Sequence, residues 1–227
     1  MTTAPPPDPA PDPPPDPADA AAAKRAMRAA HAAARAALRA QPERKHALDR
    51  ALVAATLDCM EEFGAVGANI AAYNPLPSEP GPADFAQLLA PHARTLFLPI
   101  SLPGGVLAWA QLGGATAAGA LGVTEPGGAR YTSAVLRSCG LVIAPALAVD
   151  TQGMRLGKGA GYYDRALAGL GVPVAAVVFD EEVVDAVPHD SHDQPVDAVI
   201  TPAGFFRVGG TAGAVRASNA HGPFRTD

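Results

Sequence analysis

The segment from Arg155 to Arg165, RLGKGAGYYDR, places three glycines at alternate positions among cationic side chains and just ahead of an acidic one. An apolar run over 141–144 precedes it, and a helical pattern over 162–170 follows it. Glycine lets a backbone approach a ligand closely, and the free amides at the start of a helix attract phosphate oxygens. The segment is therefore a candidate phosphate-binding loop.

The spacing of these glycines differs from two familiar nucleotide-binding patterns. The loop lacks the Gly-Lys-Ser/Thr ending of a P-loop, and its third glycine comes one place earlier than in the dinucleotide fingerprint. Glycine-rich loops are also often plain turns, so the glycines alone leave both interpretations open. Asp164 favours a ligand, because a carboxylate beside phosphates requires a cation between them, and Mg²⁺ held by carboxylates and phosphates is the usual solution.

The elements that must position this loop alternate between helices and short apolar strands. Helices are predicted over 18–42, 43–63, 83–90 and 133–139, and strands over 68–73, 95–100, 105–110, 141–146, 172–179 and 196–201. This alternation is typical of an α/β domain with a mostly parallel sheet flanked by helices, which binds ligands at the carboxyl ends of its strands. We predict one such domain over 18–208, a disordered Pro/Asp-rich tail over 1–17 and a flexible tail over 209–227.

The composition excludes several classes of function. A net charge of −5 opposes nonspecific nucleic-acid binding, which needs a basic surface. No apolar run is long enough to cross a bilayer, and the N-terminus lacks a secretory pattern, so we expect a cytoplasmic monomer with small-molecule partners and neither membrane nor nucleic-acid partners. The two cysteines, Cys59 and Cys139, are expected to be buried free thiols.

The segment RLGKGAGYYDRAL, together with the later VPHDSHDQPVDAVIT, resembles the 5-formyltetrahydrofolate cyclo-ligase family, also called 5,10-methenyltetrahydrofolate synthetases. The RLGxGxGYYD core of the family is matched at every fixed position, and weaker similarity runs from about Lys24 to about Thr201. The resemblance implies a Rossmann-like fold of the NagB/RpiA/CoA-transferase type. It also implies an ATP- and Mg²⁺-dependent cyclisation of 5-formyltetrahydrofolate to 5,10-methenyltetrahydrofolate, with release of ADP and phosphate, through a phosphorylated formyl group.

The resemblance further implies which residues bind the nucleotide. Lys24 and Arg28 match a Lys/Arg pair that reaches the phosphates, although the stripe that they share with Arg35 and Arg39 on the first helix would otherwise be interpreted as a solvated charged face. Asp164 and Asp197 match two Mg²⁺ ligands. The expected ATP-binding residues of the loop are Arg155, Leu156, Gly157, Lys158, Gly159, Ala160, Gly161, Tyr162 and Tyr163. Lys24, Arg155 and Lys158 are the expected catalytic residues, because they would neutralise charge on the transferred phosphoryl group.

Folate contacts are expected from four aromatic residues and one acid. Glu79 matches a family glutamate whose carboxylate accepts hydrogen bonds from the pterin. Tyr73 and Trp109 would line the same pocket, or else fill the core. Tyr162 and Tyr163 follow the loop at the boundary between nucleotide and folate. The segment 189–193, HDSHD, invites a zinc interpretation, but its spacing fits no strong template, so we interpret it as a hydrogen-bonded polar loop.

Other functions stay open at this point. A non-catalytic nucleotide- or folate-binding paralogue would keep the pocket, but mere binding does not require Lys24, Asp164 and Asp197 together. An ATP-dependent enzyme acting on another N-acyl substrate would share the phosphate site. A sugar-phosphate isomerase or an acyl transferase on a related sheet would need a poised base or a nucleophilic carboxylate, and the sequence offers no clear candidate.

Overall fold

A seven-stranded sheet forms the centre of the molecule. The computed structural model describes residues 17–113, 116–118, 124–126, 128–190 and 193–209. The strands in chain order are β1 Asn69–Ala71, β2 Thr95–Leu102, β3 Val106–Gln111, β4 Thr116–Ala118, β5 Thr124–Pro126, β6 Cys139–Pro145, β7 Ala148–Asp150, β8 Arg155–Leu156, β9 Val174–Val177, β10 Val183–Val184, β11 Ala198–Thr201 and β12 Gly204–Arg207. The spatial order of the large sheet is β12-β11-β9-β6-β1-β2-β3.

The large sheet is parallel at its centre and antiparallel at both edges. The strands β11, β9, β6, β1 and β2 pair in parallel, and β12 and β3 close the edges as antiparallel neighbours. The central strands are continuous apolar runs such as Leu141–Ala144, which is buried along its whole length, as expected where both faces of a parallel sheet are covered. The predicted α/β class with a mostly parallel sheet is confirmed.

Helices cover both faces of this sheet. They are α1 Pro17–Arg39, α2 Pro42–Glu62, α3 Phe85–Leu89 and α4 Tyr162–Leu167. Leu52 and Met60 of α2 share one core cluster with Phe85 of α3. Leu167 of α4 belongs to the cluster that also contains Trp109. Among the described residues, no helix is long and apolar enough to cross a membrane.

A smaller three-stranded sheet has the order β10-β7-β8; β7 and β8 precede the candidate loop in the chain, and β10 follows it. Its residues Ala148 and Leu156 form a small buried cluster with Leu147 and Val187, against which Met27 of α1 packs. Because β8 is Arg155–Leu156, this sheet leads directly into the glycine-rich segment. The sequence did not predict β4, β5, β7, β8, β10 or β12.

Several predicted elements differ from the observed ones in length or type. α4 ends at Leu167 instead of Leu170. Gly169 and Gly171, which follow its last residue, take positive φ and so do not continue the helix. Residues 133–138 form a 3₁₀ helix. Cys59 and Cys139 are both buried and free, as predicted. The predicted tails over 1–17 and 209–227 lie outside the described residues, apart from Pro17 and Gly209.

Candidate active site

The glycine-rich segment forms an open turn between β8 and α4. Gly159 and Gly161 take φ values of +98° and +66°, a region that side chains with a Cβ rarely occupy. Gly161 is the residue that precedes α4, and the first hydrogen bond of that turn runs from the Arg165 amide to the Gly161 carbonyl, 3.2 Å. The amides of Tyr162, Tyr163 and Asp164 come before this bond, so they are free to face an anion.

Arg155 provides a buried positive charge beside this turn. Its Nη2 donates to Asp164 Oδ1 at 2.8 Å, and the Arg155 side chain is 2% exposed. Burial lowers the pKa of the Arg155 guanidinium, and the charge of Asp164 opposes that shift. The buried Nε of Arg155 has no hydrogen-bond partner among the described residues. A buried donor of this kind is usually completed by water or a ligand.

Helix α1 brings two more cations to the same place. Lys24 Nζ lies 2.6 Å from Asp193 Oδ2 and 3.0 Å from Asp190 Oδ2. Burial lowers the pKa of Lys24, but hydrogen bonds and the charges of these two carboxylates outweigh burial and raise it overall, so Lys24 is fully charged near neutral pH. Arg28 Nε donates to the Gly157 carbonyl at 2.9 Å. The predicted approach of Lys24 and Arg28 to the loop is therefore present in the structure.

Arg165 braces the outer side of the turn, a role that the sequence did not predict. Its Nη2 donates to the Ala160 carbonyl at 2.6 Å, and its Nε donates to the Gly105 carbonyl at 2.8 Å. A Cβ at Gly161 would lie 2.9 Å from Arg165 Nη1. Arg165 thus joins the turn to the segment before β3, and a side chain at position 161 would displace its guanidinium.

A cavity of about 650 Å³ collects these groups. It is lined by Lys24, Arg28, Arg155, Leu156, Gly157, Gly159, Gly161, Asp164, Arg165, Ala168, Asp190, Asp193 and Gln194. Its volume lies in the range of small-molecule sites. Cations, carboxylates and glycine backbone in one open cavity suit a polyphosphate accompanied by a divalent cation.

The carboxylates of this cavity are Asp164, Asp190 and Asp193. Asp197 is exposed and is not among the lining residues; its Oδ2 accepts a 2.8 Å hydrogen bond from the Val174 amide where β9 begins. The structure therefore places Asp197 outside the residues that line the cavity with Asp164, whereas the sequence analysis expected the two carboxylates to lie together. Asp193, which comes four residues earlier, occupies the cavity instead. The sequence analysis assigned Asp190 and Asp193 only to a polar loop.

Magnesium fits the donor set of this cavity, provided that a ligand supplies further oxygens. No group of three or more His, Cys, Asp or Glu side chains among the described residues is arranged to hold a metal ion. Two carboxylates completed by phosphate oxygens and water are a common magnesium shell. Asp164 and Asp193 could supply such a pair, because each lies in the cavity and is already paired with a cation that a phosphate could attract away.

A second polar region adjoins the glycine-rich segment on the side of the loop over 74–82. Lys158 Nζ lies 2.6 Å from Glu79 Oε1. Glu79 Oε2 accepts a 2.8 Å hydrogen bond from the Leu76 amide. Glu79 is thus a buried acid whose carboxylate is oriented by its own loop, and it lies beside the glycine-rich segment.

The aromatic residues that were predicted to contact folate do not all lie in one place in the structure. Tyr73 is buried and its hydroxyl donates to the Pro80 carbonyl at 2.7 Å, so it holds the 74–82 loop. The side chain of Trp109 is 0% exposed, and its Nε1 donates to Ser133 Oγ at 3.2 Å. Its ring packs edge to face against Tyr163 with centroids 6.4 Å apart. Trp109 therefore lies behind Tyr163 in the core.

Tyr163 has the features of a ligand contact. Burial, with the nearby charge of Glu79 adding to it, raises the pKa of Tyr163, so the hydroxyl stays neutral. That hydroxyl is buried without a hydrogen-bond partner among the described residues. Tyr162, by contrast, donates its hydroxyl to the Leu102 carbonyl at 3.3 Å. Of the two neighbouring tyrosines, Tyr163 has the hydroxyl that a substrate could complete.

Asp150 joins the two segments that form the wall of the cavity. Its Oδ1 accepts from the amides of Gln152 and Met154 at 3.0 and 2.9 Å, in the turn that leads into β8. Its Oδ2 accepts from the Val187 amide at 2.9 Å, in the segment that continues to Asp190. The sequence predicted a turn at 150–153 but not this long-range contact.

Comparisons with known proteins agree with the resemblance found in the sequence. A family model described as the 5-formyltetrahydrofolate cyclo-ligase family matches residues 20–202. The 5-formyltetrahydrofolate cyclo-ligase of Mycolicibacterium smegmatis is 37% identical over 147 residues, which cover 60% of this chain and 74% of that protein. The 5-formyltetrahydrofolate cyclo-ligase of Escherichia coli strain K12 is 35% identical over 66 residues, or 28% of this chain and 36% of that protein.

Two solved structures share the fold at low sequence identity. The 5,10-methenyltetrahydrofolate synthetase of Aquifex aeolicus superposes with a TM-score of 0.68 at 24% identity, over 87% of this chain and 99% of that one. The synthetase of Mycoplasma pneumoniae gives a TM-score of 0.61 at 20% identity, over 78% of this chain and 97% of that one. At these identities the likeness is one of fold.

Proposed function

Because this chain belongs to the 5-formyltetrahydrofolate cyclo-ligase family, we propose that it closes 5-formyltetrahydrofolate to 5,10-methenyltetrahydrofolate while ATP becomes ADP and phosphate. The observation that supports this most is the single cavity that joins Lys24, Arg28 and Arg155 to the glycine-rich turn and Asp164. Three cations around free backbone amides suit the triphosphate of ATP better than they suit a neutral ligand.

The chemistry explains why phosphate-binding groups are needed. The formyl group on N5 is an amide, whose carbon is a weak electrophile and whose oxygen is a poor leaving group. In the first step the formyl oxygen attacks the γ-phosphorus, and ADP leaves. N10 then attacks the activated carbon, the C–O bond breaks, and phosphate leaves with the electron pair while N10 loses its proton. The ring closes easily because N10 and the carbon belong to one molecule.

In this proposal the cations of the cavity hold the triphosphate and oppose the charge that builds up as the γ-phosphoryl group is transferred. Lys24 and Arg28 approach from α1, and Arg155 approaches from β8 with its unused Nε. Lys158 extends from the turn itself but is not among the residues that line the cavity. Its side chain is 53% exposed and paired with Glu79, and in this proposal it turns from Glu79 to a phosphate. Fixed positive groups of this kind stabilise phosphoryl transfer.

Magnesium, held by Asp164 and Asp193 together with phosphate oxygens, would neutralise charge on the triphosphate and fix its geometry. These carboxylates already have counterions in the free protein, Arg155 and Lys24 respectively. We infer that the cations turn to the phosphates when the nucleotide binds, which leaves both carboxylates to the metal. Asp197 would contribute through the start of β9, because its carboxylate is bonded there.

The second substrate would lie on the far side of the turn, where Glu79 and Tyr163 offer polar groups. Glu79 would accept hydrogen bonds from pterin N–H groups. The unpartnered hydroxyl of Tyr163 would donate to the substrate. Trp109 would act from behind by keeping the Tyr163 ring in place, since the two rings pack edge to face.

The test is a spectrophotometric assay of methenyltetrahydrofolate formation from 5-formyltetrahydrofolate and MgATP, with ATP or magnesium omitted as controls. Growth of the product absorbance only when both are present supports the proposal. Folded protein that binds MgATP but forms no product would overturn the folate assignment, and it would favour either a non-catalytic paralogue or an enzyme for another N-acyl substrate. Product formation without ATP would overturn the phosphorylation step.

A further inference from the structure

Helix α1 packs against the rest of the protein through a face that contains few apolar side chains. Its partly or fully buried side chains recur with helical spacing and are Ala20, Lys24, Met27, Arg28, His31, Arg35 and Leu38. Among the described side chains of α1, Arg35 is the only one that is buried. Most helices dock through apolar side chains, so the burial of an arginine on this face, four residues before the end of α1, needs an explanation.

Arg35 makes a two-pronged contact with Glu182. Its Nε and Nη2 lie 2.6 and 2.7 Å from the two carboxylate oxygens, and Nη2 also donates to the Ala146 carbonyl at 2.6 Å. Both side chains are 4% exposed. Glu182 is itself oriented by the Phe179 amide at 2.9 Å. A planar guanidinium held by two parallel hydrogen bonds sets direction as well as distance, so it fixes the rotation of α1 about its axis.

The same face of α1 carries both cations of the cavity. Lys24 and Arg28 precede Arg35 by eleven and seven residues, which places each within about 20° of it around the helix and about 16 and 10 Å along the axis. A small rotation of α1 would therefore move Lys24 and Arg28 sideways out of the cavity. Lys24 and Arg28 make polar contacts only at the cavity itself among the hydrogen bonds of described residues.

We infer that Arg35, together with Glu182, is a positioning residue for nucleotide binding: it sets the rotation of α1 and so places Lys24 and Arg28 at the triphosphate. The inference rests on the proposed function, because it assumes that these two cations bind phosphate. A buried ion pair often stabilises a protein no better than apolar side chains would. Its contribution here is to geometry.

The test measures MgATP dissociation constants by calorimetry on a double variant, Arg35→Met with Glu182→Gln, which removes the charge pair without leaving a lone buried charge. We expect binding to weaken roughly tenfold. In a background that carries Lys24→Met and Arg28→Met, the same two substitutions should change the dissociation constant less than about twofold, because Arg35 then has no cations left to position. A purely structural role would give equal losses in both backgrounds.

Two further variants make the test specific. The double variant Arg44→Met with Glu181→Gln removes the neighbouring exposed ion pair, whose atoms lie 3.3 Å apart, and should leave ATP binding unchanged. Arg35→Lys keeps the charge but loses the two-pronged contact, and should weaken binding about threefold. If the Arg35→Met, Glu182→Gln protein does not fold, the Arg35→Lys protein carries the same comparison in the two backgrounds.

Unchanged ATP affinity in a folded Arg35 variant would overturn the inference, as would equal losses in the two backgrounds. The proposed function has its own failure, since it requires that Lys24→Met with Arg28→Met weaken MgATP binding. If those substitutions alone leave the affinity unchanged, the phosphate assignment is wrong whatever the Arg35 variants show.

Discussion

Lys158 Nζ lies 2.6 Å from Glu79 Oε1, although the two residues belong to loops that are proposed to serve different substrates. Glu79 is 7% exposed and Lys158 is 53% exposed. When Lys158 turns to a phosphate, it leaves a buried carboxylate without its counterion, which is unfavourable until another donor replaces it. A pterin N–H group would be such a donor. Under the proposed function, the pair would therefore couple nucleotide binding to folate binding.

Replacing Glu79 with Gln should tighten MgATP binding and slow turnover. The amide keeps an oxygen for the Leu76 amide but releases Lys158. Because a half-exposed ion pair stabilises by at most about 1 kcal/mol, the dissociation constant of ATP should fall by no more than about fivefold. Glu62→Gln, at the exposed pair with Arg207, is the matched control and should leave ATP affinity unchanged. Weaker ATP binding by Glu79→Gln would contradict the coupling.

Replacing Asp164 or Asp193 with Asn should preserve the fold and reduce turnover on the order of 100-fold, because a magnesium ligand is lost from the cavity. Asp197→Asn should reduce turnover less than about threefold, since the one hydrogen bond of that side chain among the described residues is with the Val174 amide and Asp197 does not line the cavity. Turnover at saturating MgATP, measured across a magnesium titration, distinguishes these cases. A loss in Asp197→Asn as large as that in Asp193→Asn would restore Asp197 as the second metal ligand.

Gly161→Ala should raise the KM for ATP, whereas Gly169→Ala should not. The two glycines have nearly the same backbone, with φ of +66° and +61°, so each substitution should lower the free energy of unfolding by about 1–2 kcal/mol. Only at Gly161 does the added Cβ approach a side chain, Arg165 Nη1 at 2.9 Å, and disturb the turn; at Gly169 nothing lies within 4 Å. Thermal unfolding of both proteins measures the backbone strain, and the KM for ATP of both proteins shows whether the turn at the cavity is disturbed.

The two thiols should be unreactive in the native protein. Burial raises the pKa of Cys59 to about 12 and that of Cys139 to about 11, from an ordinary value of 9.0. At pH 8 the thiolate of Cys139 is about 100-fold scarcer than that of a free cysteine, because each pKa unit is a factor of ten. Alkylation followed by mass spectrometry should show slow labelling that becomes fast in denaturant. Rapid native labelling would contradict the burial of both residues.

The sequence predicted much of the fold because the parallel strands correspond to local apolar runs such as Leu141–Ala144. It missed β4, β5, β7, β8, β10 and β12, which are short strands of two to four residues. Such strands form where tertiary pairing holds them, so local composition gives little signal. The glycine-rich segment was identified because its chemistry is contiguous in the chain.

The positions of some polar side chains depend on contacts between distant parts of the chain, which the sequence does not reveal. Arg35 and Arg39 belong to the same predicted charged stripe of the first helix, yet Arg35 is buried and Arg39 is exposed. The difference is that Arg35 forms an ion pair with Glu182. Asp193 and Asp197 are four residues apart and equally acidic. Which of them reaches the cavity depends on where β11 begins, since Asp197 is already committed to pairing with Val174 through both its backbone and its carboxylate.

The contact between Arg35 of α1 and Glu182 also affects the order in which parts of the protein can fold during its synthesis. Arg35 and Glu182 are 147 residues apart in the chain, so α1, which is synthesised before the other described helices, lacks this contact until nearly all of the domain has been made. Contacts of such long sequence separation form late, because the intervening loop must first be closed. The core of α2 and the parallel strands can collapse earlier. Under the proposed function, α1 brings Lys24 and Arg28 to the cavity only at this late step, so we expect a nascent chain to gain its full nucleotide affinity last.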